Sequence, residues 1–200
     1  MTKAFRIFGA GEWGLAVANH LSCLDNKVEV FLRDDNKVKE YKESHFYKDL
    51  NLSFNKNIIF RKLTDLDHLS DSENNFNIIA SSSPGFTDII DNYNVYFKSC
   101  ESIIWLTKGL DHSQGFLFHE IIDKKLSPAI KKCIISGPSF AKDLVAIKPL
   151  RVSIASTCDI LANSIIRIME TENLKFEKTS DIIGVEISGV IKNISGILAG

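Results

Sequence analysis

Two hundred residues with a net charge of −1 are enough chain for one substantial core. A hydrophobic share of 44% and a charged share of 24% are ordinary for a globular protein, and the lack of any Lys/Arg run argues against nucleic acid as a partner. Cys23, Cys100, Cys133 and Cys158 are widely spaced with no CxxC pattern, which argues against a zinc or disulfide framework and fits reduced thiols in the cytoplasm. Gly9, Gly11 and Glu12 interrupt the apolar N-terminus, so no signal peptide is predicted. No segment offers the roughly 20 uninterrupted apolar residues of a membrane span. The most apolar one, from Ile182 to Gly200, contains Glu186 and Lys192.

The chain opens on an apolar strand, Phe5-Arg6-Ile7-Phe8, which runs into Gly9-x-Gly11-x-x-Gly14 and a helix from Trp13 to Cys23. Strand, glycine turn and helix in that order are the context in which this spacing binds a dinucleotide. Gly9 permits the turn, Gly11 lets the backbone approach a pyrophosphate, and Gly14 lets the helix lie close on the strand. The helix N-terminus then offers N–H groups and its dipole to the anion. The turn alone does not separate NAD(P) from FAD, and a glycine turn without a ligand has the same spacing.

Lys27 to Leu32 is a second strand, ending at Arg33-Asp34-Asp35, where Asp35 or Asn36 is expected to cap a polar helix through Glu43. Residues 44–57 show no period and are expected to be loop. Ile58 to Phe60 is a short strand and Asp65 to Leu69 a short helix. Phe76 to Ala80 is a strand that runs into Ser81-Ser82-Ser83-Pro84, with a helix to about Phe97. Ile103 to Leu106 is a buried strand followed by the turn Thr107-Lys108-Gly109 and a helix from Ser113 to Lys125. Cys133 to Ile135 is a strand, and Ser136 to Phe140 opens a short helix, with Ser136 or Ser139 as cap and Pro138 in its first position. Val152 to Ala155 and Leu174 to Phe176 are strands around a helix from Asp159 to Met169, and Asp181 starts a final apolar helix. Strands alternating with helices predict an α/β, doubly wound, mainly parallel sheet of the Rossmann type.

In such a sheet a ligand lies beyond the carboxyl ends of the strands. Gly9–Gly14, Arg33, Ser81–Pro84, Lys108 and Gly137–Ser139 all follow strands and are expected to converge there. Arg33 stands where NAD-specific domains usually place an acid for the ribose 2′-OH. It can meet a 2′-phosphate, which favours NADPH, or stack on adenine; a solvated surface Arg is the alternative. Lys108 is readable as a site lysine or as one that snorkels at the surface. In the last helix Glu186, Gly189 and Asn193 share a face, with Lys192 at its edge. A lysine in so apolar a helix needs a task or a partner, and desolvation beside Lys108 would lower its pKa towards a useful general base. The other reading of Lys192 is the rim of a helix–helix contact. The five histidines form no constellation; His112 and His119 flank a helix, in surface or capping roles.

Together, Gly-Ala-Gly-Glu-Trp-Gly (9–14), Thr-Lys-Gly-Leu (107–110), Ser-Gly-Pro-Ser-Phe-Ala (136–141) and Gly-Val-Glu-Ile-Ser-Gly-Val-Ile-Lys-Asn (184–193) resemble the NAD(P)-dependent glycerol-3-phosphate dehydrogenase family. The resemblance implies reduction of dihydroxyacetone phosphate to sn-glycerol 3-phosphate by NADPH or NADH. It implies that Gly9, Gly11, Glu12, Trp13, Gly14, Arg33, Lys108 and Ala141 meet the cofactor. Lys108, Gly137, Ser139, Lys192 and Asn193 would meet the substrate, with Lys192 as the catalytic proton donor and no metal. Glu12 departs from the small or uncharged residue usual there, so its carboxylate must turn away from the pyrophosphate or weaken binding. Ser81–Pro84 also departs from the usual loop.

The resemblance further implies a dinucleotide-binding domain over residues 1–180 and, over residues 181–200, the first helix of a helical substrate domain that the chain does not complete. Ile187, Val190, Ile191, Ile194, Ile197 and Leu198 would then form an apolar surface open to a second copy, so a homodimer is one expectation. Two alternatives stay open: another lysine-dependent dehydrogenase of this architecture acting on 3-hydroxy or keto acids, and a non-catalytic NAD(P)H-binding module.

Overall fold

A computed structural model describes residues 4–69, 75–138 and 140–198; residues 1–3, 70–74, 139 and 199–200, and the side chains of 193–198, lie outside that description. In chain order the elements are β1 (Ala4–Phe8), α1 (Glu12–Cys23), β2 (Lys27–Leu32), α2 (Asp35–Ser44), β3 (Phe46–Tyr47), β4 (Leu52–Ser53), β5 (Ile58–Lys62), β6 (Asn75–Ile79), α3 (Ser83–Asn92) and α4 (Asn94–Lys98). They continue as β7 (Ser102–Trp105), α5 (Phe118–Lys125), β8 (Lys131–Ser136), α6 (Ala141–Val145), β9 (Leu150–Ser156), α7 (Asp159–Met169), β10 (Leu174–Thr179) and α8 (Ile182–Leu198).

Eight strands form one sheet in the order β10-β9-β8-β7-β6-β1-β2-β5. Every pairing in it is parallel except β8 with β9. Alternating side chains give each face its own core. Phe5, Ile7, Val28, Val30 and Ile78 pack towards Leu15, Leu21 and Ile165, whereas Phe8, Phe31, Ile79 and Trp105 pack towards Phe86, Phe97 and Phe118. The register aligns the strand ends: Phe8 lies level with Phe31 and Ile79, and Trp105 with Ile79 and Ile134. The loops after β1, β2, β6, β7 and β8 therefore open side by side, with β1 and β6 at the point where the chain reverses direction across the sheet.

Several local expectations are corrected. Residues 44–57 are not all loop: β3 and β4 form a two-stranded antiparallel unit whose Tyr47, with Phe54 after it, packs edge-on against Tyr41. The cap of α2 is Asp34, not Asp35 or Asn36; its Oδ1 accepts from Asn36 N–H at 2.8 Å and from Lys37 N–H at 3.4 Å. The helix expected to run to Phe97 breaks at Tyr93. The helix expected from Ser113 begins at Phe118, because Asp111 holds Ser113 Oγ and Gln114 N–H in a turn. The short turn at 63–68 is 3₁₀, and α6 starts at Ala141 after Phe140, leaving Pro138 outside it; Ser139 lies outside the described residues.

On the sheet face that carries Phe8, the polar side chains of β1, β2, β5 and β6 form a buried network. Glu29 accepts from Arg6 Nε at 3.2 Å and from Arg61 Nη2 at 2.8 Å. Tyr96 accepts from Arg6 Nη1 and donates to Asn77 Oδ1, both at 2.7 Å.

Candidate active site

The glycine turn is built as its spacing predicts. Gly9 has φ +115°, and a Cβ there would stand 2.6 Å from the Ala80 carbonyl oxygen, so no other residue fits. Gly11 differs in kind. Its φ is −70°, open to any residue, and nothing lies within 4 Å of a Cβ built on it. The fold alone gives no reason for glycine there; an approaching ligand does. Gly11 precedes α1 without a side-chain cap, so the first-turn N–H groups face the same opening.

A cavity of about 610 Å³ runs from Gly9 and Gly11 to Arg33, Asp34, Lys37, Asp88 and Tyr93. Arg33 is largely exposed and only loosely paired with Asp88, at 3.8 Å. The two acids that follow it are engaged: Asp34 caps α2, and Asp35 pairs with Lys62 at 2.5 Å. Arg33 and Lys37 thus share this cavity with the carboxylates of Asp34 and Asp88. A second cavity, of about 300 Å³, joins Gly11, Glu12, Trp13, Gly14, Ser81, Ser82 and Lys108. Glu12 is exposed and lines this second cavity. Ala141 is buried in the apolar core rather than lining either cavity.

The two lysines meet. Lys108 Nζ donates to the Gly137 carbonyl at 3.0 Å and Lys192 Nζ to the same oxygen at 3.2 Å. Lys192 Nζ also stands 4.7 Å from the ring centroid of Phe140. The site lowers the Lys108 pKa to about 8, through burial first and the neighbouring Lys192 charge second. The serine run has local tasks: Ser82 caps α3, and Ser83 Oγ donates to the Lys108 carbonyl at 3.0 Å, fixing the Lys108 turn. A third cavity, of about 520 Å³, extends from Gly137 and Lys192 past Ser136, Ser153 and Thr179. The Asn193 side chain lies outside the described residues.

Two features were not legible in the sequence. Phe140 lies beneath Lys192, and His119, expected at a helix flank, stands in the first turn of α5 with its ring on Glu186. Among the described residues no helix is long and apolar enough to cross a membrane, and no His, Cys, Asp and Glu group is arranged to hold a metal.

Parallel sheet, glycine turn and the row of loops define a Rossmann-type dinucleotide-binding domain with a paired-lysine site at its edge. The chain belongs to the NAD-dependent glycerol-3-phosphate dehydrogenase N-terminus family, whose model matches residues 5–162. It is 32% identical over 202 residues to a glycerol-3-phosphate dehydrogenase (NAD(P)+) of Vesicomyosocius okutanii, and 31% identical over 205 residues to one of Francisella tularensis subsp. novicida. All of this chain is covered, against 59% and 60% of those relatives. The crystal structure of glycerol-3-phosphate dehydrogenase from Coxiella burnetii superposes with a TM-score of 0.86 at 27% identity, over 96% of this chain and 58% of that one. A UDP-glucose dehydrogenase from Pyrobaculum islandicum shares the fold, with a TM-score of 0.69 at 11% identity. The chain therefore spans about three-fifths of the length of its glycerol-3-phosphate dehydrogenase relatives.

Proposed function

We propose that this chain is the cofactor-binding and proton-donating part of a glycerol-3-phosphate dehydrogenase that reduces dihydroxyacetone phosphate with NAD(P)H. The observation that carries the reading is the convergence of Lys108 and Lys192 on one carbonyl oxygen at the edge of the dinucleotide cleft. Each ammonium group has three N–H donors, so donating to the Gly137 oxygen leaves others that can meet a ketone oxygen. Gly9, Gly11, Glu12, Trp13, Gly14 and Arg33 form the cofactor wall; Ala141 supports it from the core. Lys108, Gly137, Ser139, Lys192 and Asn193 form the substrate side. A reduced nicotinamide, when bound, supplies hydride to the carbonyl carbon. Lys192 donates the proton to the oxygen on which charge develops, and Lys108 stabilises that charge.

Residues 1–180 form the dinucleotide domain in this proposal, and 181–200 begin the substrate-closing part. Ile183, Ile187 and Ile191, exposed along α8, are the surface on which that part or a second copy packs. A cytoplasmic setting fits the four free cysteines.

The cofactor half is testable on the chain as it stands. Gly11→Ala is expected to change folding stability by less than about 1 kcal/mol in urea titrations. It should weaken NADPH binding by roughly tenfold or more by calorimetry, because the new methyl occupies the ligand's path. Unchanged affinity would remove the glycine turn from the site. The loosely held Arg33 guanidinium, with Lys37 in the same cavity, favours NADPH. Arg33→Ala should weaken 2′,5′-ADP by about tenfold and 5′-ADP by less than about twofold; equal losses would leave the 2′-phosphate without a partner at Arg33.

A further inference from the structure

Helix α8 carries Lys192, and its seat can be followed residue by residue. Asp181 Oδ1 accepts from Gly184 N–H at 2.8 Å and closes the first turn. Ile182 is buried, and it and Val185 join the cluster that contains Phe118 and Ile122. Gly189 lies against the Lys108 side: a Cβ there would stand 3.3 Å from Ser136 Oγ and 3.6 Å from Lys108 Cγ. Between these anchors sits Glu186, only 2% exposed. A carboxylate is almost never buried so deeply without partners.

Its partners are on α5. Glu186 Oε1 accepts from the backbone N–H of His119 at 3.2 Å, the carboxylate also accepts from the backbone N–H of Phe118, and Oε2 meets the His119 ring at Nδ1. Leu117, the residue before α5, has no side-chain oxygen to cap that helix; Glu120 of α5 accepts from the Leu117 N–H at 2.8 Å, and Glu186 of α8 accepts from the next two N–H groups. Burial pushes the Glu186 carboxyl up, and the His119 ring and the two N–H groups oppose that push.

Helix α5 ends the loop that begins at Lys108. Asp111 braces that loop by accepting from Ser113 Oγ at 2.6 Å, Gln114 N–H at 2.8 Å and Thr87 Oγ1 at 3.1 Å. One carboxylate thus joins the segment bearing Lys192 to the segment bearing Lys108.

We infer that Glu186 is a positioning residue: by capping α5 from α8 it sets how closely the Lys108 and Lys192 ammonium groups approach the Gly137 carbonyl. Its meaning for catalysis rests on the proposed function, but its geometry does not, and the test needs neither cofactor nor substrate. Competitive acylation by trace acetic anhydride across a pH series, read peptide by peptide by mass spectrometry, gives the titration midpoint of Lys108. In the native chain that midpoint is expected at about 8.

Glu186→Asp keeps the charge but is one methylene too short to reach α5. It should loosen α8 and move the Lys108 midpoint up by roughly half a pH unit or more as Lys192 withdraws. Glu186→Gln keeps the reach and an accepting oxygen, and should hold the midpoint. A merely structural role would lower melting temperature in either variant without moving Lys108. The inference is overturned by a folded Glu186→Asp chain with an unmoved midpoint, by a shift as large in Glu186→Gln, or by a native midpoint near the ordinary lysine value of about 10.4. Loss of NADPH binding in the native chain would instead overturn the proposed function.

Discussion

Replacing Lys192 by alanine is expected to lower turnover of dihydroxyacetone phosphate by about 10²- to 10⁴-fold, the usual contribution of a positioned proton donor. The assay uses a chimera in which this chain is continued by the C-terminal part of the Coxiella burnetii enzyme, since the chain covers 58% of that relative. NADPH affinity of the 200-residue chain should stay within about twofold, because Lys192 lies at Gly137 and Phe140 rather than along the Gly9–Arg33 cavity. Turnover at the parent rate in the variant would end the assignment of Lys192 as proton donor. Turnover and NADPH affinity falling together would mean that the lysine shapes the cleft. Lys108 gives the proposed reaction a pH signature. It is charged below about 8 and neutral above, so affinity for a phosphorylated ligand should be full at pH 7 and fall as pH rises through about 8. Lys108→Met should flatten that profile.

What the sequence revealed and what it hid follow the range of the interactions. Gly9, Gly11 and Gly14 are legible because a turn is decided within six residues, and the apolar strands because burial on both faces leaves a continuous hydrophobic run. The β3–β4 unit is not, since two-residue strands carry no period; it forms because Tyr47 and Phe54 find Tyr41. The cap at Asp34 rather than Asp35 or Asn36 turns on one residue, within the ordinary uncertainty of helix ends. The antiparallel β8–β9 pair looks like its parallel neighbours in sequence, because strand direction is set by connections and not by composition. Among site residues, Lys108 and Lys192 could be singled out from their local settings, but their shared acceptor could not. Glu186 and His119 are 67 residues apart, and nothing near either announces the other. Within Ser81–Pro84, which departs from the loop the resemblance implies, Ser82 is a helix cap and Ser83 a brace for Lys108.

The largest expected loss of stability lies away from the site, at Glu29. Its side chain is 5% exposed and holds two guanidinium groups, Arg6 at 10% and Arg61 at 34% exposure. Removing the acid of a buried ion network takes the counter-charge from the desolvated Arg6 guanidinium. Glu29→Gln should therefore cost about 3 kcal/mol in urea unfolding at pH 7, the low end for a buried pair because Arg61 is partly exposed and Arg6 keeps Tyr96. A chain of this size should then melt roughly 10 °C lower. Arg6 is the more sensitive partner because it also donates to Tyr96, which in turn donates to Asn77; losing Glu29 strains a chain of bonds across β1, β6 and α4. The pH dependence has a definite sign. Burial would push the Glu29 carboxyl up, but Arg61 and Arg6 outweigh it and hold the folded value below the usual one. This stabilisation is therefore present above the unfolded carboxylate value, about 4.3, and is lost as pH falls through the lower folded value. The Glu29→Gln chain lacks that component, so its stability should fall less steeply than the parent's on acidification below about pH 4. Equal slopes would show that Glu29 titrates alike in both states. Replacing Arg6 and Glu29 together by Met and Leu should recover part of the loss, since apolar side chains of similar volume remove the desolvated charges along with the bond. A double variant as unstable as Glu29→Gln alone would place the cost in Arg61, the partner left behind.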